Sequence, residues 1–160
     1  MKGRVDYNCT DDELYKYSIS KLKRVADHWL RRFLISKSKA SNNGRLICFL
    51  KDRVYEESDL HVAHLFQRGI MSVRYNEYNC NLINKWSNTF DDQIYNKELY
   101  GKGVTKHIFE YTNKFISEFG LDVYEELKEA SDDIVYRDKD DYVDLILEFR
   151  KSSCSSKKDV

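Results

Sequence analysis

Apolar residues recur at helical spacing over much of the N-terminal quarter of the chain. Between about Asp11 and Ser36 they return every three or four positions, with basic residues between them. Thr10 and Glu13 have the spacing of a capping box at the start of this stretch, and Ser18–Ser20 would allow a break in it. We therefore predict a long helix whose apolar stripe is more typical of a core than of a partner groove.

Shorter apolar runs follow, and their length favours strands. Arg45–Leu50 is predicted to be a buried strand, and Asp59–Phe66 alternates well enough to be a second one. Ser38–Gly44, which precedes the first of these predicted strands, has the composition of a loop. A short helix is predicted over Asn79–Trp86, with Asn79 as its N-cap. Residues 45–90 would then form an antiparallel hairpin followed by a helix.

Helical periodicity returns in the last third of the chain. It predicts helices over Val104–Phe119, Leu121–Ala130 and Lys139–Lys151, with Gly120 as the residue that ends the first of them. The polar residues 152–160 are predicted to be a disordered tail. The sequence thus predicts an α+β fold, mostly helical, in a single domain over residues 1–151.

Composition narrows the class of protein. The chain lacks proline and has six glycines, which favours helices over a many-turned sandwich. It contains no apolar run of about 18 residues, and Met1–Asp12 is too polar for a signal peptide, so we expect a cytoplasmic protein without membrane contact. The four cysteines are far apart, so we expect neither a disulfide framework nor a four-cysteine zinc site, and Cys48 and Cys80 should be buried thiols.

Charge is balanced overall but unevenly distributed. The chain has 27 basic and 27 acidic residues, which argues weakly against a nucleic-acid partner. Residues 118–148 are strongly acidic, whereas residues 21–45 are strongly basic. This asymmetry suggests a basic face for a polyanion such as DNA, although two solvated helix faces of opposite sign would look the same. The basic residues are Lys21, Lys23, Arg24, Arg31, Arg32, Lys37, Lys39 and Arg45.

Three polar residues in the middle of the chain have a suggestive order. His64 ends the second predicted strand, Asn79 follows 15 positions later, and Asn88 comes nine positions after that. A histidine can accept a proton from water near neutral pH, and amide oxygens suit a hard cation such as Mg²⁺. Their order and spacing resemble the His-Asn-His/Asn endonuclease motif, which belongs to ββα-metal folds.

The flanking residues are similar to those of the phage NinG (Rap) recombination proteins. The resemblance rests on Leu60–Gly69, on Val73–Asn79 and on the Ser87–Asn88 pair, with weaker similarity in the helices on either side. It covers roughly residues 20–130 in three short blocks with matching gaps. It implies a DNA recombination or junction-processing protein with metal-dependent endonuclease activity.

The resemblance also implies roles for individual residues. His64 would activate water, and Asn79 would orient His64. Asn88 and the weaker candidate His61 would bind one Mg²⁺ or Mn²⁺. On a regular strand His61 points away from His64, and only a bulge would bring them together. Two arginines in the loop after the strand could either clamp phosphate or form exposed ion pairs. These are Arg68 and Arg74.

The chain departs from that family at its structural zinc site. The family has two Cys-x-x-Cys pairs, but here the first retains only Cys48, with Arg45 or Lys51 in its mate's place. The second pair falls on Asn84 and Ser87. We therefore expect no structural zinc and expect burial of apolar side chains to replace it. These are Leu46, Phe49, Leu50, Leu65, Phe66, Leu82, Ile83 and Trp86.

Bland interpretations remain open for each candidate. His64 could be a half-buried strand histidine, Asn88 could cap a helix, and Trp86 is more often core than a base-stacking platform. A rival hypothesis is a binding protein that keeps the fold without cleavage. Such a protein would act as a DNA-binding accessory or as an inhibitor of a host protein.

Overall fold

The computed structural model describes residues 5–89 and 106–155, without the side chains of residues 88, 89, 106–108 and 155. Of the described residues 55% are helical, and one two-stranded antiparallel sheet accompanies six α-helices, which confirms the α+β class. The chain forms two compact units. We call Met1–Gly44 with Tyr136–Val160 the helical unit, and Arg45–Val135 the central unit. Within the described ranges no helix has the length and apolarity needed to cross a membrane.

The helical unit begins as the capping signals predict. Thr10 caps α1 (Asp11–Leu14): its Oγ1 accepts from the Glu13 amide, and the Glu13 carboxylate accepts from the Thr10 amide at 2.8 Å. Ser18 then caps α2 (Ile19–Ser41), which confirms the predicted break. Local side-chain to backbone bonds of this kind supply partners for amides at a helix start.

The end of α2 was predicted too early. The helix continues past Ser36 to Ser41, through half of the segment expected to be a loop. It is ended by two residues in the left-handed region, Asn43 at φ 52° and Gly44 at φ 80°, and the Gly44 amide donates to Lys39 O. This is how a helix commonly satisfies its last carbonyls, so the stop signal is the Asn-Gly pair rather than the serines before it.

Helix α2 packs against the C-terminal helix of the same unit. Phe33 of α2 stacks on Phe149 of the C-terminal helix, with ring centroids 5.5 Å apart. Arg150 of the same C-terminal helix forms a salt bridge to Asp11 of α1 at 2.8 Å. The C-terminal helix, which we number α6, spans Lys139–Ser155. It runs four residues into the segment predicted to be disordered, and residues 156–160 lie outside the described part of the chain.

The central unit opens with a turn where a strand was predicted. The Arg45–Leu50 strand prediction was wrong: Ile47 forms an isolated bridge with Val54, the Phe49 amide donates to Leu82 O at 2.8 Å, and the chain reverses tightly around Asp52. Cys48 N–H donates to Arg53 O, Asp52 N–H donates to Cys48 O, and Asp52 itself has φ 50°. A strand requires a partner along its length, and here the contacts are isolated ones on either side of the turn at Asp52.

The sheet pairs two segments that the hydrophobic pattern did not pair. β1 (Leu60–His64) runs antiparallel to β2 (Cys80–Asn84), in a register that places Leu60 opposite Asn84 and His64 opposite Cys80. The predicted hairpin with Arg45–Leu50 was therefore wrong, as was the helix over Asn79–Trp86. β2 is buried along most of its length, which overrides the mixed polarity of its sequence.

A short helix follows β2 at once and lies against both strands. This helix, α3, spans Lys85–Thr89, and its cap is Asn84 rather than Asn79. The Asn84 carboxamide oxygen accepts from the Ser87 amide at 2.9 Å. The observed order is thus strand, long loop, strand, helix, with the helix starting six residues later than predicted.

Two further helices complete the central unit. α4 (Lys106–Phe119) and α5 (Leu121–Ser131) lie close to the predicted ranges, with Gly120 between them at φ 94°. They share a core cluster of Val73, Phe115 and Leu127, with Phe49, Leu65, Phe66, Ile70, Val123, Tyr124 and Ala130 packed around it. The apolar residues of the loop between β1 and β2 therefore bury themselves against α4 and α5.

One buried tyrosine joins α4 to the sheet. The Tyr111 hydroxyl donates to Ala63 O of β1 at 3.3 Å and accepts from the Asn81 side chain of β2 at 3.1 Å. Burial raises the pKa of Tyr111 above its ordinary value, so the hydroxyl keeps its proton and its role as donor. The strand pair is thereby fixed on the side that carries Asn81.

Candidate functional site

His64 is the last residue of β1, at the point where the chain enters the long loop. Its half-buried ring places Nε2 3.2 Å from the carbonyl oxygen of Arg74, which lies across that loop. A carbonyl oxygen only accepts, so Nε2 carries a proton in this contact, and in the neutral ring Nδ1 then carries the lone pair. The loop backbone therefore selects one tautomer and one orientation of the imidazole.

Asn79 holds the loop in the shape that makes this contact possible. It is fully buried, and its carboxamide oxygen accepts from the Phe66 amide at 2.7 Å. The carboxamide nitrogen donates to Phe66 O at 3.2 Å and to Val73 O at 3.0 Å. One side chain thus joins both ends of the loop to its middle, next to the Arg74 carbonyl. This use of the side chain explains why Asn79 does not cap a helix.

The helix that follows β2 begins on the sheet face that bears His64, at the opposite end of the strands from it. Side chains of His64 and Asn84 share one face, because their register partners alternate along the strands. Asn84 on that face donates to the Ser87 hydroxyl of α3 at 3.1 Å. Asn88 is the next residue of α3, and its side chain lies outside the described part of the chain. The structure thus places the backbone of Asn88 on a helix that begins at the Leu60–Asn84 end of the sheet, whereas His64 lies at the other end of the strands.

His61 is not brought to His64. The strand pairs without interruption from Leu60 to His64, so no bulge reverses the alternation, and His61 lies on the opposite face with its side chain exposed. The structure therefore separates the two histidines that the sequence offered together.

The two loop arginines have different environments. Arg74 donates from Nη1 to Arg68 O at 2.6 Å, and its guanidinium lies over the Tyr75 ring, 5.3 Å from the ring centroid. It therefore braces the loop in this conformation. Arg68 has an exposed side chain and is the better placed of the two to contact a phosphate from solvent.

Most of the predicted basic stretch lies outside the central unit. Lys21 to Lys39 belong to α2 of the helical unit, while Arg45 is exposed at the start of the central unit. Lys21 lies over the Tyr17 ring at 5.2 Å, and Lys23 lies 6.0 Å from the centroid of Tyr142. The basic residues of α2 with exposed side chains are Arg24, Arg32, Lys37 and Lys39.

Three of the four positions that the resemblance assigns to lost zinc ligands, Cys48, Asn84 and Ser87, meet in one buried cluster. Cys48 Sγ accepts from the Asn84 backbone amide at 3.3 Å and lies 3.6 Å from its side-chain nitrogen. The same carboxamide bonds to the Ser87 hydroxyl and amide. All three residues are less than 5% exposed. A satisfied hydrogen-bond network thus ties the Cys48 turn to the start of α3, which is a role that apolar packing had been expected to fill.

Trp86 does not belong to the core. Its side chain is 62% exposed, so the expectation that it packs inside in place of zinc was wrong. It lies between Lys85, which bridges to Asp59 at 2.6 Å, and the buried Ser87. On a helix whose inner side is occupied by Ser87, the adjacent Trp86 faces outward.

Sequence reasoning missed three contributors to this arrangement. The Arg74 carbonyl orients His64, Cys80 lies opposite His64 in register with Sγ 3.2 Å from that same carbonyl oxygen, and Asn84 caps α3. Backbone carbonyls and strand register leave no mark in residue identity. The Asn84 cap could have been found, because an Asn before a short helix is an N-cap signal.

The donor set near His64 fits a divalent cation only in part. Among the residues described, no three histidine, cysteine or carboxylate side chains are grouped closely enough to hold a metal ion. Mg²⁺ usually keeps several waters and takes one or two carboxylates together with substrate phosphates. Such a cation would depend on the phosphate and on Asn88 for its ligands.

Comparison of the chain with protein-family models, with characterised proteins and with solved structures found no significant match.

Proposed function

We propose that this protein is a metal-dependent DNA endonuclease of the phage recombination or junction-processing type, with His64 as the proton acceptor. The observation that carries the proposal is the Asn79 lock, which joins both ends of the loop and sets the Arg74 carbonyl against His64 Nε2. Asn79 makes three hydrogen bonds within one loop and lies next to an oriented histidine. This matches the roles in the His-Asn-His/Asn motif, where the middle Asn holds the loop and orients the catalytic His.

The chemistry follows from the tautomer. With its proton on Nε2, the imidazole can take a proton from water at Nδ1 as the water oxygen attacks phosphorus. The bond from phosphorus to the leaving ribose oxygen breaks, and that oxygen gains a proton from solvent. A fixed ring loses no orientational freedom at this step, which is part of what a positioned base contributes to rate.

A cation and the DNA backbone complete the proposed site. Mg²⁺ or Mn²⁺, held by Asn88, water and the phosphate itself, would neutralise charge on the phosphate. His61 is left out because it lies on the other face of the sheet. Arg68 would contact a phosphate at this site, and the exposed basic residues of α2 would contact the DNA backbone separately, through the helical unit. Contacts of that kind position DNA without reading its sequence, so we expect selection for DNA structure.

The small number of metal-ligand side chains near His64, among the residues described, favours one alternative function. A protein with this fold and without enough ligands for a catalytic cation would bind DNA as an accessory, or bind a host protein as an inhibitor. Under that alternative His64 and Asn79 would serve the loop alone.

Cleavage of labelled branched, single-stranded and duplex DNA, with Mg²⁺ or Mn²⁺ and an EDTA control, tests the proposal. His64→Ala should abolish metal-dependent cutting and leave DNA affinity nearly unchanged, since the ring is half-buried and not part of the basic surface. His61→Ala is the matched control: it removes a histidine three positions away on the opposite face and should cut like the parent.

Each outcome decides between the candidates. Cutting that persists in His64→Ala would show that His64 is not the base. If the folded parent cuts no substrate, the binding-protein alternative replaces the nuclease, and salt dependence then identifies its partner. A DNA binder that neutralises Z phosphates loses affinity with a log–log slope of about −0.9Z, whereas an inhibitor of a host protein would show no DNA affinity.

A further inference from the structure

The strongest unassigned feature of the central unit is the pairing of a buried thiol with His64. Cys80 is fully buried and faces His64 directly across the two strands. In the next pair the Leu65 amide donates to Asn79 O, so His64 and Cys80 form a non-hydrogen-bonded pair. That geometry brings two opposed side chains of an antiparallel sheet closest together.

Both side chains converge on the same backbone atom. The Arg74 carbonyl oxygen is 3.2 Å from His64 Nε2 and 3.2 Å from Cys80 Sγ. A carbonyl oxygen has two lone pairs, and here each receives a donor from a different strand. The thiol thereby pins the direction of the carbonyl and occupies the position from which water would otherwise compete for it.

We propose that Cys80 is a positioning residue for His64, acting through the shared Arg74 carbonyl to hold the imidazole in its Nε2-protonated tautomer. The catalytic consequence rests on the proposed function; the effect on the ring does not. Without the thiol, the carbonyl oxygen regains a free lone pair and a space that water can enter, and the ring can turn or exchange its tautomer.

The test compares Cys80→Ala with Cys80→Ser in otherwise intact protein. Long-range ¹H–¹⁵N NMR of ¹⁵N-histidine-labelled protein reports the tautomer of His64 directly. We expect the parent and Cys80→Ser, which keeps a donor, to show the Nε2–H form, and Cys80→Ala to show a mixture. Cys48→Ala is the matched control, because Cys48 is equally buried in the same unit but contacts Asn84 and not Arg74.

Cleavage provides the second readout. Cys80→Ala should lose about tenfold in rate, less than the roughly hundredfold expected for a 1 Å misplacement of a reacting group, and Cys80→Ser should restore it. An unchanged His64 tautomer in Cys80→Ala would overturn the proposal, as would an equal shift in Cys48→Ala. A parent that cuts no DNA would overturn the nuclease function instead, and the NMR comparison would still decide the role of Cys80.

Discussion

Replacing Asn79 by alanine should release the loop between the strands while leaving the sheet itself in place. The change removes one accepted and two donated hydrogen bonds, at 2.7, 3.0 and 3.2 Å, all in a fully buried position. It leaves the Phe66 amide, the Phe66 carbonyl and the Val73 carbonyl to find other partners. The Arg74 carbonyl, one residue beyond Val73, would lose its fixed position against His64.

The magnitude can be worked from these three bonds. Each is worth about 1 kcal/mol net, and a buried backbone group left without a partner costs about 1–3 kcal/mol. Some of the three will recover a water, so we expect a loss of about 3–5 kcal/mol in the free energy of unfolding of the central unit. That is a large fraction of the roughly 5–15 kcal/mol that stabilises a typical domain.

Hydrogen exchange measured by mass spectrometry can localise the effect. A loss of 3 kcal/mol corresponds to more than a hundredfold faster exchange for amides that open with the loop. Peptides covering residues 65–79 should show it. Asn76→Ala is the matched control, since Asn76 is an exposed asparagine of the same loop whose side chain accepts one bond, from the Tyr78 amide. It should change exchange by less than tenfold.

Exchange in Asn79→Ala within about threefold of the parent would refute this reasoning. It would mean that packing of the loop residues on α4 and α5 holds the loop without the amide. The orientation of His64 by Arg74 would then need another cause.

Two further predictions address the helical unit and the buried polar cluster. Burial, together with nearby arginines, lowers the pKa of His28. As the pH falls below about 6.5, the unfolded chain therefore binds more protons than the folded one. The free energy of unfolding must then decrease as the pH decreases. Urea titrations followed by Trp29 fluorescence at pH 7.5 and 5.5 should show this loss in the parent and a smaller one in His28→Gln; equal losses would exclude His28 as the cause. Three changes to cysteine, at Lys51, Asn84 and Ser87, should join the existing Cys48 in a Zn²⁺ site, because they give two Cys-x-x-Cys pairs at ligand spacing around one cluster. Zn²⁺ at 1,000 times its Kd would then stabilise this variant by about 4 kcal/mol. It should leave the melting temperature of the parent unchanged. If Co²⁺ gives no thiolate–Co²⁺ absorption band with the variant, the four positions do not converge.

Several local features were predictable from residue identity alone. The Thr10 capping box, the Ser18 break, and Gly120 between α4 and α5 depend on side-chain or φ preferences within a few residues. Helical periodicity likewise placed α4 and α5, since an apolar face repeats wherever a helix packs on a core. Such signals act over one or two turns, so no distant partner is needed to read them.

Strand identity depended on partners that the local pattern does not name. Arg45–Leu50 was as apolar as a strand, yet it pairs only at isolated points, between Ile47 and Val54 and from the Phe49 amide to Leu82 O, before the chain reverses at Asp52. Cys80–Asn84 was expected to be helical, yet it pairs with β1 because β1 and Tyr111 bury it from two sides. The choice between these segments is a matter of tertiary burial, which overrides a weak propensity.

In the candidate site, too, some features follow from residue type and others from tertiary structure. The sequence by itself determined which side chains could do chemistry, namely His64, Asn79 and Asn88, because acid–base and ligand properties belong to residue type. Only the tertiary structure decided how they are used: Asn79 locks a loop, the Arg74 carbonyl selects a tautomer, and strand alternation separates His61 from His64. Distances between atoms far apart in the chain are set by the packing of the whole unit, and a residue pattern carries no record of them.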